Sequence, residues 1–324
     1  MDALKKLTFH PKCSEARIAS VHIAANEWLE GAETLTLHTS GSTGTPKGWT
    51  VRRAHVLHSI RDTAEAFQLG SGSRSALAMD VAGTGGKLML WRALELGMHL
   101  QILPVERTLD WEGHLDFMAL VPQQALALSV EQASSIGSLL LGGAPIRMEE
   151  EKQLSERFSA AYHGFGMTET LSHVALRKLG VDAHYTCLPG VEVSLEAGAL
   201  VIDAPSRGVH ALKTTDAAEV HHAQAFTWLG RLDGAIVSGG KKIFPETIDQ
   251  AVAAAYPDVP AGFAGSIADD QWGEALVWYS EPLTDEARQK LLEAFHELEP
   301  WKRPKKIIEG PLPLTPSGKW KRRG

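Results

Sequence analysis

Two cysteines, Cys13 and Cys187, are all that 324 residues contain. They form neither a metal-like spacing nor a disulfide framework, so a stapled or zinc-built domain is excluded and a reducing, cytoplasmic setting is expected. No apolar run approaches the ~18 residues of a membrane helix, and Met1-Asp-Ala-Leu-Lys-Lys6 lacks the apolar stretch of a signal peptide. A soluble protein with no membrane partner is the expectation. Basic excess is missing as well: the net charge of -7 argues against nucleic acid as a principal partner. Histidine is plentiful at 14, yet neither His55/His58 nor His221/His222 has a second ligand pair at zinc-like spacing. Those residues read as helix-surface or loop histidines. Repeats, low-complexity stretches and a Ser-His-Asp arrangement are absent too. Nothing in the sequence sets the oligomeric state.

What is present is ordinary globular composition, 44% hydrophobic and 22% charged, in a chain long enough for two domains. Thr34 to His38 alternates like a strand and breaks into a glycine-rich segment. Residues 52 to 68 then carry Val56, Leu57, Ile60, Ala64 and Phe67 at helical period, giving a predicted strand–glycine loop–helix unit. Leu88 to Leu96 and Glu149 to Phe158 read as helices, Leu100 to Leu103 and Ser138 to Leu141 as strands. Alternating strands and helices predict an α/β core with a largely parallel sheet. From about Leu188 short alternating runs between glycines suggest antiparallel strands. After Gly230-Arg-Leu-Asp-Gly234 come a helix following Pro245, a strand near Ala275 to Tyr279 and a helix from Asp285 to Phe295. The expected domains are 1–231 and a small α+β unit, 232–324.

The segment Thr39-Ser-Gly-Ser-Thr-Gly-Thr-Pro-Lys-Gly48 combines hydroxyls, three glycines and a lysine. Glycine lets backbone N–H groups approach an anion, hydroxyls add donors and Lys47 adds charge, a composition suited to polyphosphate. It lacks the Gly-Lys-[Ser/Thr] ending of a Walker A loop. The bland alternative is a solvent-exposed turn. In Gly164-x-Gly166 the third glycine of a dinucleotide fingerprint is missing, and Glu169 stands in its place.

Several segments, in order, carry a resemblance: the loop at 39–48, Gly142-Gly-Ala-Pro145, His163-Gly-Phe-Gly-Met-Thr-Glu-Thr170, Thr215-Asp216, Gly230-Arg-Leu-Asp-Gly-Ala-Ile236 and Pro313-Leu-Thr-Pro-Ser-Gly-Lys319. Together they resemble the adenylate-forming superfamily of acyl-CoA synthetases, luciferase and adenylation domains. That resemblance implies a shortened form of its α/β fold, a large N-terminal domain of sheets flanked by helices with a small mobile α+β C-terminal domain. It implies Mg-ATP and coenzyme A as co-substrates of an acid–thiol ligase. Phosphate and nucleotide would be held by Thr39, Ser40, Gly41, Ser42, Thr43, Gly44, Lys47, Gly142, Gly143, Ala144, Gly164, Met167, Asp216 and Arg231. Thr168 and Glu169 would serve catalysis, Glu169 also as the magnesium ligand, and Lys319 would bridge the acid and the α-phosphate. Asp233 would be the hinge, and Gly239 and Gly240 would let a pantetheine arm pass.

Each role has a plainer reading. Glu169 could cap a helix start in a loop-to-helix setting, Asp216 and Arg231 could be surface charges, and Lys319 sits in a basic tail. The run Gly164 to Leu176 and the stretch Ala82-Gly-Thr-Gly-Gly-Lys-Leu-Met-Leu90 are most similar to short-form o-succinylbenzoate–CoA ligases of menaquinone biosynthesis. Such an acid has a second carboxylate, for which Lys87, Ser172 and His173 are the candidates; the alternative for Lys87 is a surface helix lysine. Only 38 residues precede the loop, so a reduced N-terminal subdomain and a compact aromatic acid are expected. Another aryl- or acyl-CoA ligase, an enzyme adenylating a carrier-protein substrate, or a non-catalytic nucleotide-binding homologue stay open.

Overall fold

A computed structural model describes residues 3–38, 48–314 and 320–323. In chain order its first elements are β1 (Leu7–Phe9), α1 (Glu15–Leu29), β2 (Thr34–His38), β3 (Gly48–Arg52), α2 (Arg53–Phe67), β4 (Arg74–Leu77), α3 (Thr84–Leu96) and β5 (His99–Ile102). There follow β6 (Leu115–Leu120), α4 (Pro122–Ala127), α5 (Val130–Ser134), β7 (Ile136–Leu141), α6 (Met148–Arg157), β8 (Ala161–Met167), β9 (Ser172–Lys178) and β10 (Tyr185–Cys187). Next are β11 (Glu192–Glu196), β12 (Ala199–Ala204), β13 (Val209–His222) and β14 (Ala225–Arg231). The rest comprises β15 (Ile236–Ser238), β16 (Lys241–Ile243), α7 (Pro245–Ala255), β17 (Gly262–Asp269), β18 (Gly273–Ser280), α8 (Asp285–Glu297) and β19 (Ile307–Glu309).

Twelve strands form one sheet in the order β1-β5-β4-β6-β7-β8-β9-β10-β14-β13-β12-β11. From β1 to β8 neighbours run parallel, and from β8 onward every pair is antiparallel. The change of texture expected near Leu188 thus begins at β8 and lies inside one sheet. The parallel half is buried on both faces, which explains its nearly unbroken apolar strands. Along β6, Phe117 and Ala119 join a core with residues of α1, α2 and α3, while Met118 and Leu120 join another with residues of α4 and α6. Helix α3 is apolar almost all round and buried from Gly86 to Leu94, as a helix with that pattern must be. A second sheet, β16-β15-β18-β17 with β19 beside β18, lies wholly beyond Arg231 and packs its own apolar cluster with α7 and α8.

Two expectations need correction. The glycine segment does not lead straight into a helix: β3 intervenes before α2 and pairs antiparallel with β2, Leu37 opposite Trp49. The short run 48–52 has too few alternating positions to announce a strand. Thr168 and Glu169 also do not start a helix. They occupy the tight turn between β8 and β9, and the N-cap reading of Glu169 falls with the missing helix.

Candidate functional site

The parallel strands β7 and β8 end at the same edge, where ligands of open α/β sheets are held. Gly142, Gly143 and Ala144 leave β7 there, Gly143 with φ of 80° and Ala144 exposed. Gly164 and Met167 lie on β8, and the chain turns through Thr168 and Glu169. Leu171 and Ser172 close this turn at φ of 56° and 84°, left-handed conformations that side chains rarely adopt. The surroundings over-determine them. Thr170 Oγ1 donates to the Ser172 carbonyl at 2.7 Å, lies 3.1 Å from the Met167 carbonyl as the longer arm of the same proton, and accepts from the Met167 N–H. Ser59 Oγ of α2 donates to the Leu171 carbonyl at 2.5 Å, and Arg207 Nη1 donates to the carbonyls of Thr170 and His173. At Gly166 the strand bulges, and a Cβ would sit 2.1 Å from the Ser172 carbonyl, so only glycine fits.

Three distant parts of the chain meet at this turn. Thr84 Oγ1, at the start of α3, donates to the carbonyl of His38, the last described residue before the glycine segment, at 3.1 Å. The same hydroxyl lies 2.9 Å from Thr168 Oγ1. Glu169 is half-buried and has no hydrogen-bond or ion-pair partner among the described residues. Thr39, Ser40, Gly41, Ser42, Thr43, Gly44, Lys47 and Lys319 lie outside the described residues. Trp320, the residue after Lys319, stacks on Phe263 at 4.6 Å, and the Arg147 guanidinium at the start of α6 lies 5.8 Å from its ring centroid.

Asp216 on β13 is buried, not a surface acid. Trp228 Nε1 donates to its Oδ1 at 2.9 Å, and its backbone N–H donates to Thr214 Oγ1. Burial raises its carboxyl pKa, opposed by the Trp228 bond and by Arg231. Trp228 and Thr214 do not exhaust the acceptor sites of a carboxylate, so capacity remains for a ligand's hydroxyls. Arg231 stands opposite Asp216 across the β13–β14 ladder but forms a bidentate pair with Asp233, at 2.9 and 2.6 Å, with both side chains exposed. Gly239 and Gly240, at φ of 55° and 78°, form the two-residue turn of the β15–β16 hairpin, which explains both glycines without any passing ligand.

Lys87 is not a surface lysine. It is 8% exposed, with its ammonium 2.9 Å from Glu27 and 3.1 Å from the Thr36 carbonyl, so its charge is already matched. His173 is buried against Thr63 (3.5 Å) and Ser172 Oγ (3.3 Å). Burial holds its pKa well below the usual value, with Arg92 and Arg207 adding to the fall. Arg92 escaped the sequence reading. Its Nη2 donates to Thr63 Oγ1 (3.2 Å), its Nη1 faces the Met89 sulfur, and its Nε has no partner among the described residues. No acid among the described residues neutralises it, whereas neighbouring Arg207 is paired with Asp62. A cation inside the otherwise apolar run Leu-Met-Leu-Trp-Arg-Ala-Leu of α3 was the available signal.

Residues 12–210 match the AMP-binding enzyme family. The chain belongs to that family. It is 30% identical over 291 residues to the 2-succinylbenzoate–CoA ligase of Escherichia coli, covering 80% of this chain and 62% of that protein. It therefore spans about three-fifths of the length of that curated relative. The feruloyl-CoA synthase of Amycolatopsis is 27% identical over 342 residues, covering 88% of this chain and 67% of the synthase. A crystal structure from Dyadobacter fermentans, of an acyl-CoA synthetase (AMP-forming)/AMP-acid ligase II-like protein, superposes with a TM-score of 0.62 at 32% identity. It covers 97% of this chain and 94% of its own. The fold is accordingly the adenylate-forming one, a large sheet-and-helix part followed by a smaller part.

Proposed function

We propose that this family member activates a carboxylic acid with ATP, releasing pyrophosphate and forming an acyl-adenylate, and then transfers the acyl group to coenzyme A. The observation that carries this reading is the junction of His38, Thr84 and Thr168, where the entry to the glycine loop, a helix N-terminus and the β8–β9 turn converge. A helix N-terminus and a glycine loop both favour a phosphate chain. The segment from Thr39 to Lys47 is assigned to the phosphates, Gly142 to Ala144 with Gly164 and Met167 to adenine, and Asp216 with Arg231 to the ribose. For Arg231 this requires exchange of its pairing with Asp233, an exposed ion pair worth little and easily given up.

Glu169 suits magnesium, which takes one or two carboxylates plus phosphate oxygens and water, because its carboxylate is unengaged in a polar turn. When bound, that ion supplies charge neutralisation to the phosphates. Attack of one anion on another also needs fixed positive charge where negative charge gathers, and Lys319 is assigned to it. Residues 1–231 would hold ATP and acid. Residues 232–324 would carry Lys319 and reorient about Asp233, bringing the Gly239–Gly240 hairpin to the site for thioester formation. Coenzyme A and a small acid are the proposed partners, in a reducing cytoplasm. Among the described residues no helix is long and apolar enough to cross a membrane.

For the acid we favour o-succinylbenzoate, converted to its coenzyme A thioester for menaquinone biosynthesis. The E. coli relative's name supports it, as does a buried positive cluster: Arg207 is paired with Asp62, whereas Arg92 has no acidic partner among the described residues, and both lie beside neutral His173. A second carboxylate would supply the missing negative charge there. Arg92, with Ser172 and His173 beside it, takes the place that Lys87 cannot fill while Glu27 holds it. An aromatic monocarboxylate is the second reading, favoured by the feruloyl-CoA synthase relative. Acid-dependent ATP–pyrophosphate exchange tests the proposal: o-succinylbenzoate should stimulate it, and no response to any acid ends the enzyme reading. Lys319→Ala should lower exchange about 10²–10³-fold yet spare thioester formation from supplied acyl-adenylate. Equal loss of both half-reactions would remove Lys319 from its role.

A further inference from the structure

We propose that Tyr185 and His163 form a one-directional hydrogen-bond chain that aims the Ala144 carbonyl at a 6-amino group of the bound nucleobase, making Tyr185 a specificity-determining positioning residue. This rests on the ATP reading above, and it adds a residue that lies outside every motif of the chain. The direction follows from what each atom can do. A backbone carbonyl only accepts, so the His163 Nε2 lying 3.1 Å from the Ala144 oxygen must carry the proton. Burial drives the His163 pKa down to about 4, with Arg177 of β9 adding to the fall and the Ala144 bond and Glu151 of α6 opposing it. The ring is therefore neutral at working pH, and Nδ1 presents a lone pair. Tyr185 of β10 lies 2.7 Å from that nitrogen, and burial pushes its phenol pKa up to about 12, so its O–H stays protonated and donates.

The Ala144 oxygen has two lone pairs, of which His163 uses one. Ala144 is itself exposed, and its neighbour Pro145 lines a cavity of about 450 Å³ together with His163, Tyr185 and Trp228. His163 is the one donor to the Ala144 oxygen among the described residues, which leaves its second lone pair for a ligand's donor. A 6-amino purine supplies such a donor, whereas a 6-oxo purine would bring two acceptors face to face. Without the Tyr185 hydroxyl, His163 could move its proton to Nδ1. The bare Nε2 would then repel the Ala144 carbonyl and turn it from the ligand.

The test uses the full chain with ATP and purine riboside 5′-triphosphate, which lacks only the 6-amino group. Wild type is expected to bind ATP about fivefold more tightly than the analogue, the worth of one neutral hydrogen bond. Tyr185→Phe keeps the ring stacked on Phe226 and should weaken ATP by that factor while leaving the analogue unchanged. Equal weakening of both nucleotides, or an undiminished preference for ATP, would overturn the proposal while leaving ATP binding intact. Binding of neither nucleotide by wild type would instead bring down the reading beneath it. ¹⁵N spectra of wild-type His163 give an independent check that does not depend on a variant folding: the Nε2–H tautomer is expected, and Nδ1–H overturns the chain.

Discussion

Arg207 and Arg92 sit within one cluster, each about 2% exposed, and are treated oppositely. Arg207 holds Asp62 through Nε and Nη2, at 3.0 and 2.7 Å, and spends Nη1 on the carbonyls of Thr170 and His173. Its charge is neutralised and its geometry fixes the strained β8–β9 turn. Arg92 has a threonine hydroxyl, a thioether and a bare Nε. Burial pulls its pKa down to about 10, with Arg207 adding to the fall. A buried cation costs several kcal/mol unless it is paired, so the fold uses Arg207 as a structural member while it merely tolerates Arg92. That asymmetry is the ground on which Arg92 is proposed for the acid's second carboxylate.

Removing each arginine should break the pair apart most visibly. Arg207→Met is expected to lower unfolding free energy by about 3–5 kcal/mol, because half-buried Asp62 loses its cation and the turn loses two charge-assisted hydrogen bonds. Denaturant titration measures this, and a loss below about 1 kcal/mol would erase the contrast. Arg92→Met should leave stability within about 1 kcal/mol of wild type, since it strands no opposite charge. It should raise KM for a dicarboxylic acid about tenfold, the worth of one charge-assisted hydrogen bond, with KM for ATP unchanged. A large stability loss, or equal rises in both constants, would make Arg92 structural after all.

The smallest effect concerns the neutral histidines beside these charges. His163 and His173 have folded pKa values below the ordinary 6.5, so the unfolded chain takes up their protons first. Stability is therefore present above that value and lost as pH falls through and below it, by about 1 kcal/mol per histidine between pH 6.5 and 5.5. Asp216, Glu246 and Asp249 have raised carboxyl pKa values and oppose this just above the ordinary carboxylate range. His173→Gln should remove one proton's share of the slope, read from urea midpoints at both pH values. An unaltered slope would mean that His173 is charged beside the two arginines.

The order of motifs was legible because each is a short run whose chemistry depends on local composition: hydroxyls and glycines for phosphate, an acid beside threonine, an arginine between glycines. The long helices were legible too, from apolar period. Strand β3 was not, since five residues around a loop carry no period worth reading. Helix α1, capped by Ser14, was not legible because charged Arg17 stands on its buried face with Val21, Ala24, Ala25 and Trp28 while apolar Ile23 is exposed. Gly239 and Gly240 carry two demands at once: the hairpin turn between β15 and β16 already requires positive φ at both residues, whatever passes beside them.

By itself the sequence determined that a segment rich in glycine and hydroxyls stands near the start of an α/β chain, and that Glu169, Asp216 and Lys319 follow it in order. Tertiary structure alone decided which charges are spent and which are available. Lys87 became half of an ion pair because Glu27, sixty residues away in the chain, folds against it. Arg92 is left without an acidic partner among the described residues, and Tyr185 became His163's partner because β10 lies two strands from β8 in the sheet. Electrostatic satisfaction depends on distances of a few ångströms between residues far apart in sequence, and composition does not encode those distances.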